Sequence, residues 1–239
     1  MAILNARAGT LGLKIVYVGP AYSGKTTNLQ VLHRSLPEDR RGRLTSLAGN
    51  GDRTLFFDFM AFELGVVAGL STHFHLYTVP GQPELAASRR AVLRGADGLI
   101  VVMDSDPRRL PENRQSLADL DQALKALGAD QAAIPRVYQF NKRDLPDAIG
   151  IFELDRELNP GRWPAFPATA IEGAGVQDCL RAIFKIAIAH IGRSRVATPS
   201  PGTPIVALRP RSPLAGPGRP PSRRPSSPVR RPRWTSSPV

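Results

Sequence analysis

The stretch "GPAYSGKT", Gly19 to Thr26, follows an apolar, β-rich run, "LGLKIVYVG" at residues 11–19, and leads into "KTTNLQVLHRSL", a helix-compatible segment closed by Pro37. It fits the pattern G-x-x-x-x-G-K-[ST] in the context that pattern needs, after a strand and before a helix. Such a loop gathers the backbone amides of Ala21, Tyr22, Ser23, Gly24 and Lys25 at the positive end of the helix, where they can surround a phosphate. Lys25 can neutralise β- and γ-phosphate oxygens, the Thr26 hydroxyl can ligate magnesium, and Gly24 permits close approach. Gly19 and Thr27 flank this set. The bland reading, a glycine turn before an ordinary helix, leaves the lysine and threonine at that spacing unexplained.

Outward from the loop, "RTLFFDFMAFEL" (53–64) and "HFHLYTVP" (73–80) are aromatic and β-branched and are separated by a glycine-containing turn, which predicts a hairpin. A short helix is expected after Pro83, to about Arg94. "GLIVVMD" (98–104) and "PRVYQFN" (135–141) read as buried strands, and between them Leu117, Leu120, Leu124 and Leu127 recur at helical spacing. A last helix, from about Val176 to Ile191, keeps Cys179, Leu180, Ile183, Phe184, Ala187 and Ile191 on one face. The expected fold is α/β: a P-loop nucleotide-binding domain with a mostly parallel sheet, one antiparallel edge from the hairpin, and helices on both faces.

"FNKRD", Phe140 to Asp144, follows one of those buried strands and matches the N-K-x-D element by which Ras-like GTPases recognise guanine. The Asp144 carboxylate can accept from the guanine N1 and N2 donors, whereas adenine would leave it unpaired. Asn141 can meet the other edge of the base and Lys142 can lie along it. Alone the tetrapeptide reads as a turn; some hundred residues after a phosphate loop it reads as a base site. "ATA", with Thr169 and Ala170, is a candidate third base-contacting loop. At "TVPGQ", Ras-like proteins carry D-x-x-G-Q, so Thr78 stands in the place of the acid that holds magnesium indirectly. Gly81 can offer its amide to the γ-phosphate and Gln82 can orient the attacking water. Asp58 is an available carboxylate on the neighbouring strand, but spacing alone does not say which way it faces.

The net charge of +12 is concentrated at the C-terminus: residues 194–239 hold nine Arg and no Lys, Asp or Glu, which leaves +3 for residues 1–193. That tail is rich in Pro, Ser and Arg and lacks apolar periodicity, so residues 1–193 are read as the nucleotide-binding domain and 194–239 as a disordered tail. Its P-x-x-P repeats, "PGTP", "PRSP" and "PSSP", suit SH3-like or WW-like grooves, and its arginines suit an anionic membrane surface or nucleic acid. Trp234 adds an aromatic for stacking. The single cysteine fits a reducing, cytoplasmic setting, and neither a signal peptide nor a membrane span is expected.

Together, "GPAYSGKTTNLQ", "DRTLFFDF", "FHLYTVPGQ" and "QFNKRDLP" resemble the bacterial Ras-like polarity GTPases of the MglA, or mutual gliding-motility protein A, family over about residues 10 to 192. Threonine in the acid's place is itself a feature of that family. The resemblance implies a GTPase switch that binds GTP and GDP with Mg2+. It puts Thr54 on magnesium and the γ-phosphate, and makes Arg53 an internal arginine finger acting with Gln82 and Lys25. It further implies slow turnover alone, activation by a dimeric Roadblock-type partner, effectors that read the ordered switch loops, a role in cell polarity or gliding motility, and recruitment to a cell pole or membrane surface. Ala21 departs from the glycine expected at its position and places a methyl near the γ-phosphate. It leaves open a second reading, a GTP-binding scaffold with little hydrolysis that signals through its basic tail. A third, an ATPase or nucleic-acid protein, is opposed by "NKRD".

Overall fold

A computed structural model describes residues 3–5, 9–47, 57–67, 69–82, 85–128 and 133–197. Arg53 and Thr54 lie outside the described residues, as does the chain beyond residue 197. Among the described residues the strands are β1 (Ile3–Asn5), β2 (Thr10–Val18), β3 (Thr45–Leu47), β4 (Phe57–Val67), β5 (Leu70–Thr78), β6 (Gly98–Asp104), β7 (Arg136–Asn141) and β8 (Ala165–Pro167). The helices are α1 (Lys25–Ser35), α2 (Ala86–Leu93), α3 (Leu110–Leu127), α4 (Ile151–Leu158) and α5 (Val176–Ala197), with a turn of 3-10 helix at Pro107–Arg109 before α3.

One mixed sheet runs in the order β3-β4-β5-β2-β6-β7-β8, and β1 pairs with β2. The strands from β5 through β8 are parallel, each joined through a helix, while β4 pairs antiparallel to β5 as the hairpin requires. Two antiparallel additions go beyond the sequence reading. β3 extends the edge past β4, and β1 pairs with Thr10–Gly12, short of the Ile15–Val18 segment of β2 that pairs with β6.

β6, β7 and the carboxyl half of β2 are buried on both faces because both faces are covered there, whereas β5 alternates buried and half-buried positions. Leu13, Ile15 and Tyr17 of β2 pack with Leu29 and Leu32 of α1 and with Ile183 and Phe184 of α5. Val16 and Val18, pointing the other way, pack with Leu93 of α2, Leu124 of α3 and Leu154 of α4. Phe74 and Phe184 stack with centroids 3.7 Å apart and tie β5 to α5. Cys179 is fully buried in this first layer, and burial, then Asp178, pushes its thiol up to about 12. The result is the expected α/β P-loop fold, with α5 running six residues beyond the expected Ile191. No described helix is long and apolar enough to cross a membrane.

This topology fixes where a site can form. β2 lies between β5 and β6, so the loops leaving its carboxyl end and theirs diverge around one crevice, the ordinary ligand position in a doubly wound sheet. Gly19–Gly24 leaves β2, Val79–Gln82 leaves β5, and Lys142–Asp144 leaves β7 at that same end.

Candidate functional site

The phosphate loop is shaped by three residues with positive φ: Gly19 at 146°, Tyr22 at 64° and 83% exposed, and Gly24 at 100°. A Cβ at Gly24 would overlap the Asn141 side-chain nitrogen, so glycine is required there by conformation and by contact. α1 starts at Lys25, which puts its unpaired first-turn amides at the mouth of the loop. The Lys25 ammonium donates to the carbonyls of Gly19 (3.0 Å) and Pro20 (2.6 Å). Burial, followed by the neighbouring Arg89, pulls it down to about 8 against the raising effect of Asp58. Ser23 is fully buried with an unpartnered hydroxyl, and its carbonyl accepts from Asn141.

Beside the loop, β3, β4 and β5 bring one row of polar residues together. Ser46 pairs across the ladder with Asp58, and the Asp58 amide donates to the Thr78 hydroxyl at 2.8 Å. The carboxylate collects three hydroxyls: Ser46 on Oδ1 (2.6 Å), and Thr26 (2.6 Å) and Thr78 (3.1 Å) on Oδ2. Thr78 therefore lacks the acid but supports one, supplied from the adjacent strand. The donors Thr26 and Asp58 are hard oxygens, which suits a hard divalent cation such as magnesium and not a thiolate-seeking metal. Among the described residues no group of three His, Cys, Asp or Glu could hold a metal by itself, so such an ion would take much of its coordination from phosphate and water.

On the side where the sequence places the base, Asn141 joins two loops. The Asn141 amide nitrogen donates to Ser23 O (2.8 Å) and its oxygen accepts from Ala170 N (2.9 Å), so this residue splices the phosphate loop to the "ATA" loop. Lys142, at φ 64°, places its ammonium 2.6 Å from the fully buried carboxylate of Asp104. Asp144 is exposed, and Thr169 and Ala170 are buried.

At the other end, Gly81 packs directly on the backbone of Ala21 and Pro20, and a Cβ there would overlap it. Gln82 follows, exposed. Arg89 of α2 donates to the Gln82 carbonyl (3.0 Å) and pairs with Asp119 of α3 (3.0 Å). Arg109 donates to the Ala21 carbonyl (3.0 Å) and pairs with Glu112 (2.6 Å). A cleft of about 730 Å³ runs between these loops, lined by Lys25, Thr26, Asp58, Thr78, Gly81 and Gln82 among others. Its polar groups converge from separate elements, as in a preformed ligand site.

Comparison with known proteins agrees with this geometry. The chain is 43% identical over 191 residues to the mutual gliding-motility protein MglA of Myxococcus xanthus, covering 80% of this chain and 98% of that protein. The chain belongs to the MglA family. It is also 28% identical over 181 residues to human ADP-ribosylation factor-like protein 4C, covering 73% of this chain and 86% of the relative. With GTPase Obg of Caldicellulosiruptor bescii the figures are 25% over 173 residues, 71% of this chain and 39% of the relative. No protein-family model matches. As an MglA-family member the chain is a small GTPase, a GTP hydrolase that binds guanine nucleotide.

Several residues of this MglA-family site carry no sequence signal of their own. Arg89, Asp104, Arg109, Glu112 and Asp119 lie outside every motif. Asp104 ends a wholly apolar run, and a lone acid closing a buried strand beside the N-K-x-D strand is the one hint available.

Proposed function

We propose that the chain is a magnesium-dependent GTP switch of cell polarity or gliding motility, turned over slowly alone and accelerated by a dimeric Roadblock-type partner, with effectors reading the loops around residues 53–59 and 81–90. The carrying observation is the Asp58 carboxylate, held by Ser46, Thr26 and Thr78 beside the phosphate loop. In this reading Thr26 and Thr54 would hold magnesium, Asp58 would support it from the outer shell, and Thr78 fixes the Asp58 carboxylate. Bound magnesium would neutralise charge on the phosphate oxygens as the terminal P–O bond breaks. Lys25 shifts from the Gly19 and Pro20 carbonyls to the phosphates, the Gly81 amide meets the γ-phosphate, and Gln82 orients water for attack. Arg53 supplies the transferring group with a second positive charge. Asp144 selects guanine through its two N–H donors.

Single-turnover hydrolysis of magnesium GTP, with ATP as competitor, tests this. We expect GTP-selective turnover and, in Asp58→Asn, magnesium dependence displaced upward by about 10- to 100-fold, the range for an outer-shell ligand. Unchanged magnesium dependence would remove Asp58 from the role. Tight GTP binding without turnover, even with a Roadblock-type partner, would favour a scaffold, and equal competition by ATP would defeat the guanine assignment.

A further inference from the structure

Glu112 and Asp119 are seven residues apart on α3, two helical turns, and so lie on one face. Each holds an arginine whose other contact is a backbone carbonyl at the catalytic end of the cleft. Glu112 holds Arg109 on Ala21 O, in the phosphate loop, and Asp119 holds Arg89 on Gln82 O, in the catalytic loop. Gln115 donates to the second Asp119 oxygen from within the helix. Between the two carbonyls, Gly81 rests on Ala21 with no room for a side chain. Arg89 is the better buried of the two, with 9% of its side chain exposed, and Arg109 has 29%.

We propose that Arg89 and Arg109 are positioning residues for hydrolysis, a two-point brace by which one face of α3 sets the spacing between the phosphate loop and the Gln82 loop. The inference rests on the GTPase reading of the site. Neither guanidinium needs to touch nucleotide: each fixes a main-chain oxygen whose own loop carries the group that does. An arginine can hold a carboxylate and a carbonyl at once through its several N–H donors in a fixed plane, which a lysine reproduces poorly. Because hydrolysis depends on sub-ångström placement of water and γ-phosphate, loss of the brace shows in turnover before it shows in binding.

The experiment uses the full chain and reads single-turnover rate at saturating magnesium GTP, GDP affinity, and amide hydrogen exchange of peptides covering residues 15–30 and 76–86. Arg89→Gln and Arg109→Gln are expected to slow turnover by about tenfold or more while GDP affinity stays within about twofold. Glu112→Gln added to Arg109→Gln, and Asp119→Asn added to Arg89→Gln, should cost nothing further, because each acid acts through its arginine. Arg114→Gln, at a surface pair with Glu157, is the control and should change neither quantity. Exchange should rise in the 76–86 peptide in Asp119→Asn and in the 15–30 peptide in Glu112→Gln. Rate and affinity falling together, acid and arginine effects that multiply, or exchange unchanged in both peptides would each overturn the brace. A wild type no faster than Gln82→Leu would defeat the catalytic role of Gln82 instead, and exchange would still decide the brace.

Discussion

Lys25 works in this site under tension between two environments, since it is buried among carbonyls and beside Arg89 yet must stay charged to hold phosphate. Its folded value of about 8 lies below the ordinary 10.5. Below pH 8 the folded and unfolded chains both carry the proton and the burial penalty is complete. Between about 8 and 10.5 the unfolded chain holds more protons, so this residue's contribution to stability rises with pH across that window. Nucleotide binding has the opposite sign: phosphate favours the ammonium, so GDP affinity should fall as pH rises through 8, approaching tenfold per unit, with proton uptake measurable by titration calorimetry in buffers of different ionisation enthalpy. Affinity level from pH 7 to 9.5 would show that the charge of Lys25 is not titrating there. The residue itself was legible because its neighbours are local: Gly24, Lys25 and Thr26 are consecutive, and their chemistry follows from order alone. Asp58 was not. It meets Thr26 across 32 positions and Thr78 across 20, through strand register that sequence spacing does not carry.

Loops joined by one side chain behave as one element, and Asn141 makes that junction here. It ends β7, lies under Gly24, and bonds to Ser23 on one side and Ala170 on the other. Asn141→Ala leaves a buried carbonyl and a buried amide without partners and should cost about 2–4 kcal/mol, read from denaturation midpoints, with faster GDP release. A loss confined to nucleotide affinity, with stability intact, would assign Asn141 to the base alone. The N-K-x-D pattern carries the neighbourhood of Asn141 and not the direction of its amide, so this junction could not be read from the sequence. Element by element, the unbroken apolar run of β6 and the helical leucine spacing of α3 were legible. β1, β3 and β8, three residues each, were not, because so short a run carries no period. α5 outran its expected end because the apolar spacing that marks it stops at Ile191 while the helix continues to Ala197.

At the scale of the whole molecule, helices on both sides of the sheet bury two separate apolar layers, and the crevice opens only where the strand carboxyl ends diverge. Cys179 sits in one of those layers, fully buried, with its thiolate suppressed near neutral pH. Being the sole sulfhydryl of the chain, it makes the protein its own stopwatch. A maleimide can react only while α5 is lifted from the sheet, so the labelling rate counts openings. If opening is global, GDP at 100 times its dissociation constant should slow labelling about 100-fold, as mass action on the native state requires. Labelling indifferent to GDP would instead report that α5 detaches alone, leaving the nucleotide in place.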